Sequence, residues 1–137
     1  MKKSLFFALT LPIFLFANQK YELKLYETIF SSIFKHKDIK IYADEEDIKM
    51  LQESSKIEVV PTCTKETTLL LGKKFINLPA VCKNKPLFST NYRDYKKMPN
   101  SFGVFYWRKG RPQIKFKKKA LLLHHITLPK SLQKYAK

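Results

Sequence analysis

Apolar positions change their period along this chain, and each change marks an element. From residue 21 to 34, Leu23, Tyr26, Phe30, Ile33 and Phe34 return every three or four places, the stripe of an amphipathic helix. In DIKIYA (38–43) the period falls to two, Ile39 and Ile41 alternating with lysines, which predicts a short strand. Asp44 then stands where it can cap a second helix. Glu45, Glu46 and Asp47 fill its first turn, where the helix dipole favours negative charge, and Ile48 and Leu51 give it one apolar face. KIEVV (56–60) predicts a second strand, stopped by Pro61. TTLLLG (67–72) is a continuous apolar run of strand length, as expected of a buried central strand. KPLFST (85–90) adds another strand, and the polar stretch 91–100 predicts a surface loop.

NSFGVFYWRKGRPQIKF (100–116) predicts a β-hairpin. Phe102, Val104 and Tyr106 fall on one side of its first strand and Phe105 and Trp107 on the other; Gly110 supplies a positive φ in the turn. The first strand is apolar on both faces and so internal; the second is apolar on one face and cationic on the other. A core hairpin accounts for the aromatics without a ligand. The turn is different: Arg108, Lys109 and Arg111 must point into solvent, where they can meet an anionic partner. Ala120 to His124 then suits a short helix, Ile126 to Leu128 a connector, and Pro129 the first turn of a last helix carrying Leu132 and Tyr135. No repeat, low-complexity tract or linker interrupts the pattern. The expected fold is α/β: one compact domain over residues 18–137, a mixed sheet flanked by helices, ending in a β-hairpin and two short helices.

The first seventeen residues are set apart. Lys2 and Lys3 precede a nearly unbroken apolar run from Leu5 to Phe16, with Ala17 ahead of polar Asn18, the layout of a secretory signal. The run falls short of the roughly 20 apolar residues needed to span a bilayer; an uncleaved N-terminal anchor is the alternative. Either way the expected location is outside the cytoplasm, in the periplasm.

Export changes the meaning of the charge. The chain carries +16, or +14 without Lys2 and Lys3. In the cytoplasm such a balance would point to nucleic acid; outside it, the expected partners are an anionic membrane surface, envelope polymers or an acidic protein face. Solubility alone explains many of the lysines. Export also favours a disulfide between the only cysteines, Cys63 and Cys82, worth about 3 kcal/mol for a loop of this length, with a free thiol pair as the alternative.

Catalytic chemistry is hard to place. Adjacent His124 and His125 would point about 100° apart on a helix and rarely share a metal ion, and His36 sits in a lysine-rich turn. The run Asp44 to Asp47 lacks the alternating ligands and central glycine of a calcium loop. The serines form no nucleophile elbow, and three glycines make no phosphate-cradling loop. The expectation is therefore a binding module with no catalytic residues, metal or cofactor; a small exported hydrolase is the enzymatic alternative.

CTKETTLLLG (63–72), NSFGVFYWRKGRPQIKF (100–116) and ALLLHHITLPKSLQKYA (120–136) together resemble the YfiR-like periplasmic domain family, in which a cysteine precedes a buried strand and a glycine-bearing hairpin leads into two helices. Gly103 matches one of the family's paired glycines, Gly110 the turn, Phe116 the strand end, and Thr127 to Leu132 the connector and helix start. Ser101-Phe102 replaces the other glycine, and lysines follow Phe116 where the family has Asn. The resemblance implies a disulfide-containing, dimer-prone α/β protein that binds the periplasmic part of an inner-membrane signalling enzyme, typically a diguanylate cyclase, and restrains it.

Overall fold

The computed structural model describes residues 19–137 except 36, 74 and 76. The signal-like segment 1–17 and His36 thus lie outside the described residues. Helix α1 covers residues 19–33, followed by β1 (Ile39–Ala43), α2 (Glu45–Gln52), β2 (Ile57–Val59) and β3 (Leu69–Gly72). A 3-10 turn (Ala80–Cys82) leads to β4 (Leu87–Ser89), α3 (Tyr92–Lys97), β5 (Ser101–Arg108), β6 (Arg111–Phe116) and α4 (Lys118–Leu123). A final 3-10 segment covers Lys130–Tyr135.

The six strands form one sheet in the order β2-β1-β3-β4-β5-β6. The first five are parallel and β6 runs antiparallel to β5. This is a doubly wound order with an antiparallel strand closing one side, so the described residues form a single α/β domain. β3 is buried along its whole length, as a continuous apolar run in a parallel sheet should be.

The two faces of the sheet are covered differently. On one, Tyr26, Ile29 and Phe30 of α1 and Leu51 of α2 pack with Ile41, Leu69, Leu71, Phe88 and Phe116. On the other, the chain between β2 and β4 lies over Leu70 and Leu87, stapled by the disulfide Cys63–Cys82, whose Cα atoms are 6.3 Å apart. Gly103 is required by crowding on the helical face: a Cβ there would stand 2.6 Å from the Phe88 ring and 3.0 Å from that of Phe116.

Three local expectations are corrected. Asp44 does not cap α2 through its side chain; its carboxylate accepts the Lys73 backbone N–H at 2.6 Å instead. Residues 91–100 are not all loop, because Asn91 Oδ1 accepts the N–H groups of Arg93 (2.8 Å) and Asp94 (3.3 Å) and starts α3. Phe102 does not share a face with Val104. The register slips between Leu87 and Phe88, from Ser101 to Gly103, and this bulge puts Phe102 in the helix-side core with Phe105. The expected hairpin holds, with positive φ at Gly110 (75°) and also at Lys109 (51°), the two-residue geometry that matches strand twist.

Beyond α4, Ala136 bridges Phe116, and Lys137 N–H donates to the Phe116 carbonyl at 3.0 Å. With Pro112 in β6, this contact blunts an edge strand that would otherwise invite pairing with another chain.

Candidate functional site at the carboxyl edge of the sheet

β1, β3, β4 and β5 are parallel, so their carboxyl ends share one edge. In doubly wound sheets ligands bind in the crevice along that edge. The crevice between β1 and β3, where the strand order reverses, is filled by the chain itself. The Asp44 side chain occupies it, and Gly72, at φ 144°, leaves no room for a Cβ beside the carboxylate. Lys73 then pairs with Glu46 at 3.2 Å on the exposed side.

Further along the edge an open cleft of about 600 Å³ lies between α1, the start of α2, the β4–α3 junction and the end of β5. Its acidic wall is Glu22 and Asp47, its aromatic wall Phe105 and Trp107, and Arg93 lies at its α3 side. The Trp107 indole N–H donates to Glu22 Oε1 at 2.6 Å, tying β5 to α1. Tyr21 leans on both Phe105 and Trp107, with ring centres 6.4 and 6.0 Å away. Tyr26 is 1% exposed and lines the same cleft.

The electrostatics of the cleft are those of crowded acids. Burial pushes Asp47 up to about 6, and the neighbouring Asp44, Glu22 and Glu46 carboxylates add to the rise against the pull of Lys73. Asp44 is raised chiefly by burial, partly offset by the Lys73 N–H. Burial also drives the Tyr26 phenol well above its ordinary range, and the charges of Asp47 and Glu22 raise it further.

Arg108, Lys109 and Arg111 are brought together on the same edge. Arg108 and Arg111 are paired across the hairpin end, Lys109 sits in the turn, and all three are exposed. The ion pairs among the described residues, Lys40–Glu66 and Lys73–Glu46, leave them out. Cys63 and Cys82 are joined as expected, far along the chain from the tip. His124 Nε2 lies 3.0 Å from the Asn100 carbonyl, and burial lowers its basicity. Among the described residues no group of three or more His, Cys, Asp or Glu is placed to hold a metal ion.

The cleft was not foreseen from sequence. Its one local signal is Glu22 four places before Tyr26, on the same side of α1; Asp47 and Trp107 join only through the fold. No family model matches the chain, and neither the curated proteins nor the solved structures contain a match.

Proposed function

We propose that this protein is an exported binding and regulatory module of the periplasm. It docks through Arg108, Lys109 and Arg111 onto an acidic face on the periplasmic part of an inner-membrane signalling protein, of the diguanylate cyclase or related sensor class that the family resemblance implies. The observation that carries this reading is the tip itself. Three cations are held on a tight turn with fixed backbone geometry, exposed and outside the ion pairs of the described residues. The turn backbone is already ordered, so docking has only the side chains left to order, and the cluster attracts acidic surfaces from a distance. The attraction weakens with salt, because the Debye length is about 10 Å at 0.1 M and shortens as salt rises.

Affinity capture from solubilised inner membranes tests this. The signalling protein is expected to be retained at low salt, released at high salt and lost with the triple variant R108E/K109E/R111E. Retention that is indifferent to salt and to the tip would overturn the reading, whereas K20E/K24E should have the smaller effect.

A second reading, docking on an anionic membrane surface, is favoured by one separate feature. Leu122 and Leu123 are 77% and 61% exposed on α4, close behind Lys118 and Lys119. Exposed leucines beside lysines suit the boundary between acyl chains and acidic headgroups. On this reading L122S/L123S lowers sedimentation with phosphatidylglycerol vesicles about tenfold. Equal binding to neutral vesicles would count against it.

A further inference from the structure

The acidic cleft opposes the charge of the whole molecule. The chain has 27 lysines and arginines against 11 acids, yet Glu22 and Asp47 share a half-buried cleft in which Asp44 and Glu46 also press on Asp47, with Lys73 beyond β3 and Arg93 at the α3 side as the cations. Crowded acids alone would be no site. The second observation is Tyr26: its side chain is buried to 1% exposure and lines the same cleft as Glu22 and Asp47. Its hydroxyl has no hydrogen-bond partner among the described residues, although other buried polar side chains are bonded, such as Ser89 to Ser101 at 2.6 Å. No fully buried side-chain polar atom among the described residues lacks a partner, so the Tyr26 oxygen keeps a small opening to the cleft, where it can meet a ligand that brings donors.

Two features define the chemistry of that ligand. Glu22 and Asp47 do not belong to a set of three groups that could enclose a metal ion among the described residues. The opposite wall is aromatic, with Phe105 and Trp107 at 5.6 Å and tilted by 74°, and Tyr26 edge-on to Phe105 at 5.9 Å. Carboxylates facing aromatic rings recognise organic cations: the acids balance the charge and the ring faces replace part of its hydration. The volume of about 600 Å³ suits a small organic molecule.

We propose that this cleft binds a small primary amine as its ammonium ion, held between the Glu22 and Asp47 carboxylates against the Phe105–Trp107 wall, with the Tyr26 hydroxyl accepting one N–H. A primary ammonium supplies three donors, matching two carboxylates and one phenol oxygen. The site is separate from the cationic tip and does not depend on what the tip binds.

Trp107 is the only tryptophan in the chain and lines the cleft, so its fluorescence reports occupancy. The whole chain is titrated with n-butylammonium at neutral pH, with butyrate and n-butanol as the anionic and neutral probes of matched length. A saturable Trp107 response to n-butylammonium alone is expected. Asp47→Asn and Glu22→Gln should each weaken it about tenfold, the scale of one charge-assisted contact, and Tyr26→Phe about threefold, with circular dichroism unchanged. The tip variant R108E/K109E/R111E should not weaken it, so failure here and failure of the docking reading are told apart. The proposal is overturned by no saturable response, by an equal response to butyrate or n-butanol, or by amine binding that survives both D47N and E22Q in folded protein.

Discussion

The hairpin tip and the cleft lie on one edge of one sheet and are linked by β5, but their charges sit in different surroundings. At the tip, Arg108, Lys109 and Arg111 stand in water, where charges cost folding little and contribute little to it. In the cleft, Glu22 and Asp47 are partly withdrawn from water and face other acids, and Asp47 is raised to about 6. One group of charges is tolerated without cost; the other is kept despite one. A charge kept at the expense of stability points to use more strongly than a charge the fold does not notice. Neither group of charges holds the fold together, which falls to the aromatic core under α1, shared by Tyr26 and Phe105 at the cleft's inner wall, and to the disulfide on the opposite face.

The largest expected effect tests that last separation. C63S/C82S should lower stability by about 3 kcal/mol in urea unfolding, while the fraction that remains folded keeps both amine and partner binding. Loss of either activity in folded protein would show that the edge depends on the staple.

Next in size is the tip. R108E/K109E/R111E should weaken partner capture about a hundredfold, since each basic residue contributes about 1 kcal/mol near an acidic surface. The same variant should shift unfolding by no more than about 0.5 kcal/mol. A large loss of stability would mean the tip is structural.

The cleft should behave in the opposite way. Asp47 faces Glu22 from α1, Asp44 and Glu46 from its own end of α2, and Lys73 beyond β3; Tyr26 and Arg93 share the cleft. Its pKa is raised from 3.8 to about 6 on folding. Between those values the folded protein binds more protons than the unfolded chain, so this group's contribution is most favourable in acid and declines as pH rises through about 6. Asp47→Asn should therefore stabilise the protein at neutral pH by about 1 kcal/mol after allowing for solvent screening. It should also flatten the pH profile of stability in that window. A destabilised D47N would show that the carboxylate is satisfied within the fold.

The smallest effect is expected at the Tyr26 hydroxyl. Tyr26→Phe removes a hydroxyl with no partner among the described residues and should change the unfolding free energy by less than about 0.5 kcal/mol. A loss well above 1 kcal/mol, the scale of a buried hydrogen bond, would reveal one.

The tip was legible because it is local: four successive residues make the turn, and Gly110 announces it. The central strand was legible for the same reason, since Leu69 to Leu71 form an unbroken apolar run. The cleft draws on α1, α2, the β4–α3 junction and β5, so no window of the sequence contains it. Asp44 misled because its carboxylate had a nonlocal alternative, the Lys73 N–H, to the local helix end. Phe102 misled because strict alternation fails at a bulge, which only the pairing of β4 with β5 reveals. Helix α3 is too short to show a period, and Asn91 was its single sign.

The docking of the tip is tested most directly by photo-crosslinking in living cells from position 109, with position 81 on the exposed 3-10 turn as the control site. A covalent adduct from position 109 with an inner-membrane signalling protein is expected, absent from position 81 and lost when Arg108 and Arg111 are changed to Glu. No adduct from position 109, or the same adducts from both positions, would contradict it.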